Sequence, residues 1–386
     1  SSRPRERCIV PEQRLKGASL VHREASPAYE GGDMTAAIPA SIDEVTAKWM
    51  SEATGWNVTA LRNEIIGVGV GVSSAVYRAH LTGTGCPSTV IVKRPALDPN
   101  AVFTSTVLKM YSREVKFFKT LAKDVPFRVS KSFYGEVSDD GSQFAMVVED
   151  LGNLRVIDQV AGMKIDDARR AIDGLAAMHA KWWGKADALA VDGTTISLGD
   201  PIYPAIVPMV FAEGWEKCTK EITMPDSIMG VGPRFGAAVA PLLASLAQGP
   251  NTLAHGDYRA DNMFFDDKNN LVVLDFQLIG TGIGAYDLAY FVTQSITADD
   301  ASKYERELFD RWIDGLLTSG APKDLVDKKA LWQHYRSAAL FCLAYPIVAS
   351  RGMDLSDKRS FELVDCMNTR FDRAVRELDL ASLLPA

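Results

Sequence analysis

The stretch "LAHGDYRADNMFFDDKNNLVVLDFQ" (253–277) sets Asp257, Asn262 and Asp275 around two short apolar runs. If "NMFFD" (262–266) and "LVVLD" (271–275) are strands joined by "DKNN", position 262 lies opposite position 275. Opposed residues of antiparallel strands sit about 4.5–5.5 Å apart at Cα. An amide and a carboxylate then leave one end of the hairpin together. Hard oxygens meeting at one point are what a magnesium ion takes, with water and phosphate oxygens completing its shell. Asp257, five residues before Asn262 in the entering loop, faces the same point as a proton acceptor. A hairpin that merely has polar ends accounts for the same residues.

Other parts of the chain favour the chemical reading. "IIGVGVGVSSAVYRAH" places Gly67, Gly69 and Gly71 between two strand-like runs, followed by Ser73 and Ser74. Glycines let backbone N–H groups approach phosphate oxygens, and the serine hydroxyls add donors. A plain glycine-rich hairpin turn fits equally. No Gly-Lys-Ser/Thr follows, so the stretch is not a Walker loop. Lys93 ends the strand "STVIVK", either as its solvated end or as a fixed charge in a cleft. The next helix has an apolar face marked by Val107, Met110, Tyr111, Phe117, Phe118 and Leu121, and Glu114 falls on it. A buried carboxylate is costly unless paired. Lys93 is the sensible partner, and the pair would hold the ammonium toward α- and β-phosphates; unpaired, Glu114 is a rim residue.

The elements that must position these groups can be read by period. "SIDEVTAKWMSEAT" carries a Ser41/Glu44 capping box and helical spacing, which predicts a helix over 42–54. Three strands follow, then one long helix over 103–125, then a hairpin over 131–152 with Asp139-Asp140-Gly141 at its tip. Helical patterns dominate afterwards. The expected fold class is α+β and bilobal. A small β-rich N-lobe spans 41–150, a larger, mainly helical C-lobe spans 151–386, and 1–40 form an N-terminal extension.

With 386 residues there is room for two lobes, since single cores rarely exceed roughly 250–300 residues. The content is 47% apolar and 24% charged, an ordinary globular composition, and the net charge is -7. No long basic run appears, so no nucleic-acid partner is expected. Cys8, Cys86, Cys218, Cys342 and Cys366 are scattered and odd in number, with no C-x-x-C pair. Neither a zinc site nor a disulfide framework is suggested, and a reducing, cytoplasmic setting fits. Residues 1–33 lack the apolar region of a secretory signal. The uncharged run 337–350 ("SAALFCLAYPIVAS") is too short to span a bilayer and reads as a buried helix; no membrane span is expected.

Glycine turn, strand Lys93, helix Glu114, "H-G-D-x-x-x-x-N" at 255–262 and "D-F-Q" at 275–277 stand in the order of the eukaryotic-like kinase fold. His-Gly-Asp, Asp-Phe-Gln and the lack of an Ala-Pro-Glu segment set the chain apart from protein kinases. In these motifs it resembles the aminoglycoside phosphotransferase and choline kinase-like superfamily. "HGDYRADNMFF" with "VVLDFQLIGTGIGAYDLAYFV" is similar above all to the ecdysteroid-kinase-like branch. The resemblance implies ATP and Mg²⁺ as cofactors and a small-molecule hydroxyl as phosphate acceptor. Asp257 would accept or orient the acceptor proton, Asn262 and Asp275 would hold the metal, and Lys93, set by Glu114, would contact the phosphates. Residues 67–74 would cover the β- and γ-phosphates. Val148, Glu149 and Leu151 would form the hinge at the adenine edge, through backbone groups. Asp287 would brace the catalytic loop.

His255 and His179 read as ordering and core histidines, and Arg259 as a phosphate contact or a solvated loop residue. Tyr203, Phe211, Trp215, Tyr345 and Met353 supply an aromatic, apolar acceptor region with few acids. That suits an apolar hydroxylated molecule better than a polycationic aminoglycoside, whose ammonium groups each need a partner. An aminoglycoside kinase and a nucleotide-binding pseudokinase remain the alternatives.

Overall fold

A computed structural model describes residues 36–66 and 73–385. Where one helix over 42–54 is expected, a 3-10 turn at Ile42–Glu44 precedes α1 (Ala47–Thr54). Thr46 caps α1, its hydroxyl accepting from Trp49 N at 3.2 Å. Glu44 turns back to Ala40 N at 2.6 Å. Ser41 makes no capping bond and Glu44 takes Ala40 N instead of Ser41 N, so the capping box does not form and the helix starts a turn late.

Three strands follow: β1 (Asn57–Ile66), β2 (Ser74–Thr84) and β3 (Thr89–Pro95). The expected single helix over 103–125 is broken. Asp98 and Pro99 start α2 (Pro99–Val107), Lys109 takes φ 53°, and α3 runs over Met110–Lys116. A π turn at Phe117–Leu121 then places the adjacent Phe117 and Phe118 both inside. β4 (Ser132–Val137) and β5 (Phe144–Glu149) complete an antiparallel sheet in the order β1-β2-β3-β5-β4.

The rest is mainly helical. β6 (Arg155–Val156), α4 (Ile165–Trp182), α5 (Asp187–Val191) and β7 (Ile196–Ser197) lead to α6 (Ile202–Glu221) and α7 (Asp226–Leu246). β8 (Asn251–Ala254), β9 (Met263–Phe265), β10 (Leu271–Val273) and β11 (Gly280–Ile283) form two small three-stranded sheets with β6 and β7. α8 (Ala285–Ser295), α9 (Ala298–Thr318), α10 (Lys328–Phe341), α11 (Ala344–Gly352) and α12 (Lys358–Glu377) follow. The run 337–350 is therefore two helices, with Pro346 in the first turn of α11, where its missing N–H is harmless. Among the described residues α7 is the helix long and apolar enough to cross a membrane; here it packs on α6, α10 and α12.

The two faces of the sheet serve different cores. Ala145 and Val147 join a small cluster with Trp49 and Met50 of α1. Phe144, Met146 and Val148, the alternate residues of β5, join a large core that continues through α3 and α4 to α12. The period of two along β5 thus welds the sheet to the helical part.

Candidate active site

The hairpin exists, but its register is one residue away from that expected. Met263 pairs with Val273 and Phe265 with Leu271, so Asn262 faces Leu274, whose N–H donates to Asn262 O at 2.9 Å. The connection takes five residues. Asp266 accepts from Lys268 N and Asn270 N at 2.9 and 2.8 Å, and Asn269 adopts φ 58°. Asp275 also has φ 58°, a left-handed conformation uncommon for a residue with a Cβ. This removes it from the ladder just beyond β10.

Asp257 sits in a ring of donors. Its Oδ1 accepts from the Tyr290 hydroxyl at 2.7 Å and its Oδ2 from Asn262 Nδ2 at 2.8 Å. Arg259 Nε lies 3.3 Å from Oδ1, and Arg259 Nη1 reaches Asp261 Oδ2 at 2.7 Å. Burial pushes the Asp257 carboxyl up, but Arg259, the Tyr290 hydroxyl and the Asn262 amide outweigh it and hold it below the ordinary aspartate value. Asp257 is therefore a firmly ionised carboxylate. Arg259 is not a freely solvated loop arginine.

The loop that carries Asp257 is fixed from behind. Gly256 has φ 85°, and a Cβ there would lie 2.1 Å from Leu278 O, so glycine is required at this position. Asp287 accepts from His255 N at 2.7 Å and Gly256 N at 2.9 Å, the bracing expected of it. His179 is fully buried; its Nδ1 accepts from Trp312 Nε1 at 3.1 Å, leaving Nε2 to donate to Asp287 Oδ2 at 3.1 Å. His255 uses Nδ1 to accept from Asp257 N and Nε2 to donate to Leu274 O. Both histidines order the loop.

On the sheet side, Lys93 Nζ lies 2.5 Å from Glu114 Oε1, with side chains 15% and 2% exposed. Burial opposes the lysine charge, yet Glu114 and Asp275 outweigh it and its pKa is raised. The contact is an ammonium–carboxylate pair that also feels Asp275. Phe276 stacks on Phe117 at 3.6 Å between ring centres, which brings the 275–277 segment under the π turn that follows α3. Glu149 pairs with Arg128 at 2.5 Å and Asp150 with Arg78 at 2.6 Å, so both acids of "VVEDL" have ion-pair partners. Val148 and Leu151 are buried beside them. Gly67, Gly69 and Gly71 lie outside the described residues. Ser73 and Ser74 are both bonded to Gln277, a contact between residues about two hundred positions apart.

Asp257, Asp275, Arg259 and Ser73 line one cavity of about 600 Å³. Its further walls include Leu278, Tyr290, Tyr345, Met353 and Met367. Of the five residues expected to receive an acceptor, Tyr345 and Met353 are there. Tyr203 instead accepts from Arg113 Nη1, while Phe211 stacks on Trp215 in the α6–α7 packing. Tyr290 was missed as a site residue, though it lies three positions after Asp287 and so on the same side of α8.

A magnesium ion takes hard oxygens that are free of other donors. Both Asn262 N–H groups are directed at Asp257, to O at 2.9 Å and to Oδ2 at 2.8 Å, and among the described residues no donor reaches Asn262 Oδ1. Among the described residues the one hydrogen bond to the Asp275 carboxylate, from Gln277 N, is 3.4 Å long. Two hard oxygens short of donors fit a magnesium ion.

A model of the phosphotransferase enzyme family matches residues 64–322. The structure resembles a candidate aminoglycoside phosphotransferase from Ralstonia eutropha at 16% identity. The match covers 88% of this chain and 98% of that one with a TM-score of 0.51. It also resembles choline kinase from Cryptosporidium parvum at 12% identity, over 87% and 94% of the two chains, with a TM-score of 0.50. At these identities the likeness is one of fold. No curated protein matches the chain in sequence.

Proposed function

This chain belongs to the phosphotransferase enzyme family, and we propose that it moves the γ-phosphate of ATP to a hydroxyl group of a small, predominantly apolar molecule. The observation that carries this reading is the single cavity that Asp257 and Asp275 share with an aromatic and methionine-lined wall. We take 41–150 as the nucleotide-side lobe and 151–386 as the acceptor-side lobe. The nucleotide lies between them, with Val148–Leu151 as hinge.

In this reading the acceptor hydroxyl enters from the apolar wall and donates to the Asp257 carboxylate. The ring of donors around Asp257 leaves it ionised and correctly turned, so it orients the nucleophile and takes its proton as the phosphoryl group transfers. Lys93, held by Glu114, contributes a fixed positive charge to the phosphates. Asn262 and Asp275 hold Mg²⁺, which when bound neutralises phosphate oxygens. Catalysis of this kind depends on positioning and charge, which is what a braced loop and a buried ion pair supply.

The cavity's charges argue against a polycationic acceptor. Apart from Asp257 and Asp275 its acids are Asp98 and Glu213. Asp98 caps α2, and Glu213 is paired with Arg351 at 2.5 Å. An ammonium-rich sugar would have to displace those partners.

The test is a screen of hydroxylated apolar metabolites with ATP and Mg²⁺, read as a phosphate mass gain. Asp257→Ala should abolish turnover and retain nucleotide binding. Nucleotide binding without turnover across a broad library would favour a regulatory module. Aminoglycoside resistance on expression in a sensitive host would favour the antibiotic kinase.

A further inference from the structure

Gln277, the residue that separates this chain from Asp-Phe-Gly kinases, has a physical assignment in the fold. It is 2% exposed, and each end of its amide is used. Nε2 donates to Ser74 Oγ at 2.6 Å, and Oε1 accepts from the Ser73 hydroxyl. Its backbone is held as well: Arg113 Nε donates to Gln277 O at 3.0 Å, and Gln277 N turns to Asp275 Oδ1. Ser73 is anchored a second time, by the Tyr111 hydroxyl on its carbonyl at 2.8 Å. A continuous path of polar contacts therefore runs from Asp275 through Gln277 to the two serines that open β2.

We propose that Gln277 is a positioning residue for the nucleotide, tying Ser73 and Ser74 to the Asp275 segment so that the two phosphate-facing parts move as one. This rests on the nucleotide reading above. The chemistry asks for an amide. Ser73 needs an acceptor and Ser74 receives a donor, and a primary amide presents one of each. A glutamate offers only acceptors and adds charge to a buried place that already holds Asp275 and Glu114. An asparagine is one methylene short, and a glycine makes neither bond. The arrangement also divides the two serines. The Ser73 proton is engaged by Gln277, while Ser74 accepts and keeps its own proton for a further acceptor.

The experiment compares wild type, Gln277→Ala, Ser73→Ala/Ser74→Ala and the triple variant. Readouts are the Kd of ATP with Mg²⁺ by calorimetry, the KM of ATP and of the acceptor, and Tm. Loss of two hydrogen bonds is expected to raise Kd and KM for ATP about ten-fold in Gln277→Ala. The KM of the acceptor should stay put. The serine pair, which also loses its own donors to the phosphates, should change ATP binding at least as much, and the triple variant no more than the serine pair, because Gln277 acts through those serines. An unchanged ATP Kd in Gln277→Ala, whatever its Tm, overturns the proposal, as does an additive triple variant. If Gln277→Ala does not fold, Gln277→Asn and the serine pair carry the same comparison. Wild type that binds no nucleotide overturns the underlying nucleotide reading instead, so the two failures are told apart.

Discussion

The hydroxyl of Tyr290 donates to Asp257 Oδ1 at 2.7 Å, and its ring stacks on Tyr345 with 3.8 Å between centres. The aromatic wall of the cavity thus touches the carboxylate proposed to receive the acceptor's proton. A donor to an ionised carboxylate lowers its pKa, and removing the donor raises it. Tyr290→Phe should therefore move the acid limb of kcat/KM to higher pH, and Arg259→Met should move it further, since Arg259 is the larger of the two influences. At neutral pH the lost hydrogen bond should cost about 1 kcal/mol, roughly a five-fold fall in kcat/KM. A pH–rate profile superimposable on wild type would refute the role of Tyr290.

The same depressed carboxyl links to stability. Its folded pKa lies below the unfolded value of about 3.9. Its contribution is therefore present above that value and fades as pH falls through the folded one. Asp257→Asn should flatten the acid side of a Tm–pH curve; an unaltered slope there counts against the ring of donors.

Lys93→Met leaves Glu114 buried without its cation, so a stability loss of about 3–5 kcal/mol is expected. Adding Glu114→Gln should recover much of that in a denaturant titration, yet ATP affinity should stay weak. Recovery of both would make the pair structural only.

At Gly256 a Cβ has no room beside Leu278 O and the backbone is left-handed. Gly256→Ala should destabilise by on the order of 2–4 kcal/mol. It should also abolish turnover even at temperatures where the fold persists. Wild-type kcat from this variant would show that the loop has another resting place.

Met353 lines the cavity while Phe211 is packed between helices. Met353→Ala should raise the acceptor KM and leave the ATP KM alone. Phe211→Ala should instead cost about 3–5 kcal/mol of stability with little change in either KM. Equal effects on the acceptor KM would erase the distinction.

The spacing of Lys93 and Glu114 was legible because a lone acid on an apolar helix face demands a partner, and one basic strand end precedes it. The hairpin was legible from its alternation, but not its register. That was settled by a left-handed Asn269 and by Asp266 accepting from the turn's own N–H groups, which lengthened the turn to five residues. The break at Lys109 was hidden because local helical period continues across it; the need to bury α3 against the sheet overrides propensity there. Tyr345 and Phe211 look alike in composition, and only packing divides wall from core.

By itself, the sequence determined which groups are available: an Asp-Asn-Asp set, a lysine–glutamate pair and an amide at 277, each readable from residue type and short-range period. The tertiary structure decided which of them meet. Tyr290 reaching Asp257, Phe276 stacking on Phe117 and Gln277 holding Ser73 and Ser74 join segments far apart in the chain. Such contacts leave no local period, because they are imposed by the shared core that folds α3, α8 and the hairpin against one another.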